Sequence, residues 1–340
     1  MLKSPFVWFG GKRKVAGLVW DALGDVDNYV EPFLGSAAIL LARPQKHRGR
    51  VETVNDADHF LANFWRALAA DPGAVATWAD WPVNESDLFA RHLWLVNEGK
   101  DRLAAGIERD PAWYDAQVAG WWVWGLNSWI GSGWCAGTGP WTPEHLGDAG
   151  LGINRKLPHL GDAGHGINRQ LPHLGDAGRG EGGVLPLNEG LRQYFIALAS
   201  RLRGVRVCAG DWSRVVTDGA LAEGATVGVF LDPPYLASTR TANLYAVDDG
   251  EVSLEVRAWA LAHGEDSRMR IVLAGYGTEH GDIMVRAGWR EYSYMVQAAY
   301  QTRASAGGDS GNQANRRQER LWFSPGCVKK SPGLLDSGLL

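Results

Sequence analysis

The sequence predicts an α/β fold, and three observations carry that prediction. The run Val227-Gly-Val-Phe-Leu231 is short, apolar and rich in β-branched and aromatic residues, as a buried strand is. It stops at Asp232-Pro233-Pro234-Tyr235, where two prolines forbid continuation of a central ladder. A second strand runs through Tyr29-Val30-Glu31 into a turn at Pro32-Phe33-Leu34-Gly35-Ser36, followed by a small-residue helix from Ala37 to Leu41. Further on, helices and strands alternate. A helical stripe at Leu191, Phe195, Leu198 and Leu202 ends at Gly204 and precedes a strand at Val205–Cys208, and a helix near 254–263 precedes a strand at 270–274.

Length and composition are consistent with such a fold. A chain of 340 residues with 45% hydrophobic and 21% charged residues buries a large core and reads as globular. No run of about 18 apolar residues is present, and no signal-peptide core opens the sequence, so a cytoplasmic location and no membrane partner are expected. Cys135, Cys208 and Cys327 are widely spaced, form no ligand pattern and fit a reducing compartment without a metal site. A net charge of −4 does not mark a nucleic-acid binder. The basic residues are nevertheless clustered, with Lys3, Lys12, Arg13 and Lys14 near the start and Arg316, Arg317 and Arg320 late in the chain, which allows a local basic cleft.

Taken in order, the elements carry candidate binding residues at their ends. Trp8-Phe9-Gly10-Gly11-Lys12 places two glycines between aromatics and a lysine, a tight loop whose backbone can approach a ligand. The loop at Gly35-Ser36 combines close backbone approach with a following helix N-terminus, the arrangement that attracts an anionic group. A strand at 50–54 ends at Asn55-Asp56-Ala-Asp58. Asp56, about 20 residues beyond the glycine loop, stands where ribose hydroxyls are held in Rossmann-like sheets, and Asp58 is a candidate cap for the helix carrying Phe60, Phe64 and Leu68. Gly210-Asp211-Trp212 follows the strand at 205–208. There a carboxylate and a ring suit an adenine, while the aspartate equally suits a helix cap.

Two stretches stand apart. Residues 75–145 are crowded with tryptophans, among them Trp121, Trp122, Trp124, Trp129, Trp134 and Trp141; filling a core is the preferred reading, base stacking the other. Then His-Leu-Gly-Asp-Ala-Gly recurs from His145, His159 and His173 with a period of 14. This reads as a duplicated surface loop, because turn formers dominate and no carboxylate or cysteine pattern supports metal binding by the histidines.

Asp232-Pro233-Pro234-Tyr235 suits methyl transfer to an exocyclic amino group of a nucleobase. Such a nitrogen is a poor nucleophile because its lone pair is delocalised into the ring. The Asp232 carboxylate and the Pro233 carbonyl can accept its two hydrogens and free the lone pair. Both prolines hold the acceptors in place, and Tyr235 can stack on a base that has left the duplex.

Together these segments resemble the Dam-like DNA adenine methyltransferases. Trp-x-Gly-Gly-Lys, Pro-Phe-x-Gly-Ser, Gly-Asp-aromatic, Asp-Pro-Pro-Tyr and a closing Glu-x-Leu-Trp-x-Ser-Pro appear in order, with Ala37 in place of a second glycine and Trp212 in place of phenylalanine. The resemblance implies a mostly parallel, Rossmann-like seven-stranded sheet formed by 1–71 and 187–330. It also implies an inserted target recognition region at 72–186 carrying the repeat at 145–178, and residues 331–340 read as a tail. It implies S-adenosyl-L-methionine (AdoMet) as cofactor, held by Trp8, Gly10, Gly11, Lys12, Glu31, Pro32, Phe33, Gly35, Ser36, Asp56, Asp211 and Trp212. Asp232, Pro233, Pro234 and Tyr235 would be catalytic. The partner would be double-stranded DNA, with no obligatory protein partner and no metal. N4-cytosine methylation is an alternative by the same amino-group logic, and an inactive DNA-binding protein that keeps the fold is another.

Overall fold

A computed structural model describes residues 2–6, 12–45, 50–110, 112–128, 134–135, 187–234, 251–294 and 319–329. Trp8, Gly10, Gly11, Trp129, Trp141, Tyr235, the segment 236–249, the repeat at 145–178, the Gly/Ser stretch at 304–312 and the tail at 331–340 lie outside the described residues.

Among the described residues, seven strands form one open sheet. They are β1 (Asn28–Glu31), β2 (Val51–Asp56), β3 (Val205–Ala209), β4 (Val227–Leu231), β5 (Met269–Tyr276), β6 (Arg290–Ser293) and β7 (Glu319–Phe323). The spatial order is β3-β2-β1-β4-β5-β7-β6. The first five are parallel, while β7 runs antiparallel to both β5 and β6. Strand order reverses between β1 and β4, so the chain leaves those two strands toward opposite halves of the sheet and opens a crevice beyond their carboxyl ends.

Local chemistry accounts for these boundaries. Every residue of β4 is buried, and the strand ends at Leu231, immediately before Asp232-Pro233-Pro234. β2 continues two residues past the expected end, through Asn55 to Asp56, because Asn55 and Asp56 pair with Cys208 and Ala209 of β3. The expected cap of α3 (His59–Ala70) is present: Asp58 accepts hydrogen bonds from the backbone amides of Phe60 and Leu61. Phe60, Phe64 and Leu68 point from that helix into the core.

The expected helices after β1, before β3 and before β5 are present, whereas the helix before β1 and those directly following α3 were not read from the sequence. α1 (Ala16–Leu23) packs against α2 (Ala38–Ala42) and against β4 and β5, and α4 (Pro72–Ala79), α5 (Glu85–Trp94), α6 (Lys100–Arg109) and α7 (Ala116–Ser128) follow α3. α5 runs into α6 through a π-type turn at Leu95–Gly99. α8 (Leu187–Leu202) returns to the sheet, α9 (Asp218–Leu221) and α10 (Val252–His263) flank β4, and α11 (Gly277–Arg286) joins β5 to β6.

Of two hydrophobic clusters among the described residues, the larger runs from the sheet into these helices. α7 packs against α3 and α4, and α4 packs against α8. Trp122 and Trp124 are buried, and Phe6 stands edge-on to Phe64 and Trp122 at centroid distances of 5.6 and 5.2 Å. Among the described tryptophans of this region, core filling therefore dominates. Trp78 and Trp81 are the exposed ones, 36% and 43% accessible. Burying such rings contributes on the order of a few kcal/mol each, which stabilises a helical layer whose own propensity is modest.

Candidate active site

Three strand ends are stapled together beside the crevice. The Asn55 side-chain amide donates to the Pro32 carbonyl at 3.1 Å and the Gly210 carbonyl at 2.9 Å, linking the loops after β1, β2 and β3. The Gly210 amide in turn donates to the Asp56 carbonyl at 3.0 Å. The loop after β1 turns through two left-handed residues, Gly35 at φ 48° and Ala37 at φ 57°. Ala37 thus adopts the backbone conformation that a glycine would take more readily, at a cost of about 1–2 kcal/mol for its Cβ. The loop keeps its path despite the substitution.

Asp56 lies under this loop. One of its oxygens accepts from the Gly35 amide and the other from the Asp58 amide, both at 3.0 Å. Burial raises its pKa to about 7, against the pull of those amides. An ionised carboxylate has roughly four acceptor positions, so Asp56 can support the loop and still accept from a ribose hydroxyl.

Asp211 caps the short helical turn Trp212–Val215 by accepting from the Ser213 amide at 2.9 Å. Trp212 is 7% exposed. Its ring stacks on Phe33 at 6.2 Å and meets Trp259 edge-on at 6.4 Å, which makes a floor of aromatic surface beside the crevice.

The charged centre lies at the ends of β1 and β4. Glu31 is buried and its Oε2 accepts a 2.8 Å hydrogen bond from the Tyr29 hydroxyl. Burial pushes its carboxyl up to about 8, with the Asp232 charge adding to the rise and the Tyr29 bond opposing it. Asp232 follows β4, and its Oδ1 lies 2.9 Å from the Lys12 ammonium. Lys12 is only 5% exposed. Burial works against its charge, but Asp232 and Glu319 outweigh burial and hold its pKa above the ordinary value. Glu319, the first residue of β7, accepts from the Tyr294 hydroxyl at 2.9 Å.

The fold therefore brings Lys12, Glu31, Phe33, Gly35, Asp56 and Asp232 to one end of the sheet, with Asp211 and Trp212 at the neighbouring strand end. Pro233 is buried and Pro234 half-buried beside Asp232. Glu319 and Tyr294 were not anticipated as site residues. Glu319 was visible as the glutamate of the closing Glu-x-Leu-Trp segment, but only the pairing of β7 with β5 shows that it reaches the site.

The donor set fits a cationic, nucleoside-bearing cofactor. Several carboxylates gather at the strand ends at the switch point, beside an aromatic pair and a left-handed loop. Among the described residues, no cluster of three or more histidines, cysteines or acids is arranged to hold a metal ion.

Strand order, the lone antiparallel β7 and the acidic switch point together define a Rossmann-like methyltransferase fold. Residues 8–91 match the family model of D12 class N6 adenine-specific DNA methyltransferases. The matched stretch covers about a quarter of the chain, which is similar there to AdoMet-dependent N6-adenine methyltransferases. The matched segment contains Lys12, Glu31, Gly35 and Asp56 and ends before Asp232. No curated protein matches the chain. Among the described residues, no helix is long and apolar enough to cross a membrane.

Proposed function

We propose that the protein is a site-specific DNA methyltransferase that transfers a methyl group from AdoMet to the N6 amino group of an adenine flipped out of double-stranded DNA. The observation that carries this reading is the position of Asp232. It follows the central strand β4 at the switch point, beside Glu31 and in contact with Lys12, on a chain whose N-terminal segment matches an adenine-specific family.

AdoMet, when bound, supplies an electrophilic methyl group on a sulfonium centre. The chain does the rest. Glu31, Pro32, Phe33, Gly35, Ser36 and Asp56, with Asp211, Trp212 and Lys12, would hold the cofactor, and the sequence motif adds Trp8, Gly10 and Gly11 to that set. Asp232 and the Pro233 carbonyl accept the two hydrogens of the target amino group. This draws the nitrogen toward tetrahedral geometry and directs its lone pair outward, in acceptors that need no reorganisation during the reaction. Pro234 fixes the turn, and Tyr235 stacks on the flipped base, whose extrusion costs a few kcal/mol. The nitrogen loses one proton as the new N–C bond forms, and Asp232 is the base positioned to take it or pass it to water.

Residues 1–71 and 187–330 act as the catalytic domain in this reading, and 72–186 reads the DNA sequence. The expected setting is a bacterial or phage-infected cytoplasm, where the DNA is accessible.

The test uses purified protein, mixed-sequence duplex DNA and AdoMet labelled in its methyl group, with digestion to nucleosides. The expected product is labelled N6-methyladenine. Label in N4-methylcytosine would transfer the same mechanism to another base, and absence of both label and AdoMet binding by calorimetry would favour an inactive DNA-binding protein.

A further inference from the structure

The residues proposed to hold the cofactor lie on three separate loops, after β1, β2 and β3, and one side chain outside that set links them. Asn55 stands one residue before the end of β2, in parallel register with Cys208 of β3. It is 1% exposed. Its main-chain carbonyl accepts from the Leu34 amide at 2.9 Å, and its side-chain NH2 donates to the Pro32 carbonyl at 3.1 Å and the Gly210 carbonyl at 2.9 Å. Both side-chain partners are carbonyl oxygens, so only the NH2 of the amide can face them. The Asn55 Oδ1 makes no hydrogen bond among the described residues, so donation is what this side chain contributes.

The two carbonyls belong to turns that carry the site. Pro32 leads into Phe33, Gly35 and Ser36, Gly210 leads into Asp211 and Trp212, and Asp56 follows Asn55 directly. Gly210 holds φ 127°, where a side chain is strained, and a Cβ there would come within 2.7 Å of the Arg214 guanidinium. The turn at Gly210 and the Asn55 donor together fix the direction of the Gly210 carbonyl.

We propose that Asn55 is a positioning residue for AdoMet: its NH2 holds the Pro32 and Gly210 carbonyls together and so keeps the loops after β1, β2 and β3 at the spacing that one cofactor molecule spans. This inference rests on the methyltransferase reading above. AdoMet has an amino-acid end, a ribose and an adenine, and the proposed site distributes their partners over the three loops. A cofactor that had to order those loops itself would lose affinity in doing so, whereas loops already tied together bind it without that loss. Asn55 acts through Pro32, Asp56 and Gly210, and its own atoms need not touch the cofactor.

The experiment compares full-length wild type with Asn55→Asp and Asn55→Ala, measuring the Kd for AdoMet and for S-adenosylhomocysteine by calorimetry and the AdoMet KM and kcat of DNA methylation. Asn55→Asp keeps the shape of the amide and sets an acceptor against the two carbonyls. It is expected to raise the AdoMet Kd by about 10- to 100-fold, the scale of two lost hydrogen bonds. The Kd for S-adenosylhomocysteine should rise by the same factor, because the product lacks only the methyl group and the sulfonium charge. KM should rise with Kd, and kcat at saturating AdoMet should fall far less than KM rises. Asn55→Ala removes the donors without adding a charge; its Kd should move in the same direction by less, and it keeps the test open if Asn55→Asp does not fold. A residue that only stabilised the fold would lower the unfolding temperature and leave Kd and KM of the folded protein unmoved. Wild-type Kd and KM in the folded variants would therefore overturn the inference. Absence of AdoMet binding by the wild type would instead overturn the underlying reading, and the inference with it.

Discussion

Two buried three-charge clusters sit at different parts of the sheet, and their charges are nearly mirror images. Toward the start of β2, one anion lies between two cations: Glu52 meets Arg43 at 3.1 Å and Arg201 at 2.7 Å. At the carboxyl ends of the strands, one cation stands among acids, with Lys12 against Asp232 and under the influence of Glu319. The first cluster uses guanidiniums, which do not lose their protons and present planar forks to a carboxylate. Arg43 also donates to the Val26 carbonyl and lies over the rings of Trp20 and Tyr29, and Arg201 donates to the Leu40 carbonyl. Its donors reach Glu52 of β2, the Val26 carbonyl before β1 and the Leu40 carbonyl of α2, so the cluster ties layers together.

The second cluster uses a lysine that the acids around it hold in its charged form, and a carboxylate that opens a turn rather than sitting inside a strand. The same sheet thus separates a locked charge network from a responsive one. A third arrangement, Arg91 among the rings of Trp81, Trp121 and Trp124 at 4.9, 5.1 and 4.4 Å, buries a cation against π-faces in the helical layer. Burial lowers the Arg91 pKa to about 10, so the guanidinium stays charged at neutral pH.

The largest expected effect falls on the locked cluster. Glu52→Ala leaves two buried guanidiniums facing each other and should cost about 3–5 kcal/mol in denaturant unfolding. The folded fraction should keep wild-type kcat. A large kcat loss at full folding would break the separation between the two clusters. Trp124→Ala tests the aromatic arrangement, since that ring is fully buried and its indole N–H donates to the Trp81 carbonyl at 2.9 Å. A loss of about 3–5 kcal/mol is expected, as for other buried tryptophans.

The responsive end should show itself in pH. Glu31 has a pKa of about 8 in the folded protein, above its ordinary 4.5, so between those values the folded state binds more protons than the unfolded one. Its contribution to stability therefore falls as pH rises through that window. A fixed sulfonium charge favours the ionised carboxylate, so AdoMet affinity should rise from pH 6 to 8 by up to about tenfold per unit for one linked proton. Calorimetry in buffers of different ionisation enthalpy reads the released proton directly, and Glu31→Gln should flatten the dependence. A flat wild-type profile would show that Glu31 is not coupled to the cofactor.

Ala37→Gly should have the smallest effect. Relief of the left-handed alanine is offset by the lost methyl contact and the freer unfolded chain, so stability should change by less than about 1 kcal/mol.

Much of the sheet could be read from the sequence because its signals are local. The prolines after Leu231, the glycine at 35 and the cap at Asp58 each act on their own backbone within a few residues. Asp56 and Asp232 could be placed by their position at strand ends. The coupling of Lys12 to Glu319 had no such signal, since it depends on β7 lying antiparallel beside β5. The packing of α4 and α7 on α3 and α8 was hidden for a similar reason: tryptophan-rich helices look alike whether they face a core or a ligand, and only their partners distinguish the two.

The measurement that tests the account most directly is a single-turnover methyl transfer with AdoMet pre-bound, comparing wild type with Asp232→Asn. The substitution keeps the shape of the side chain and removes its charge. The account predicts that Asp232→Asn still folds and binds AdoMet, and that formation of N6-methyladenine slows by about 10²–10³-fold, as for loss of one preorganised electrostatic group. An unchanged rate of N6-methyladenine formation in Asp232→Asn would contradict it.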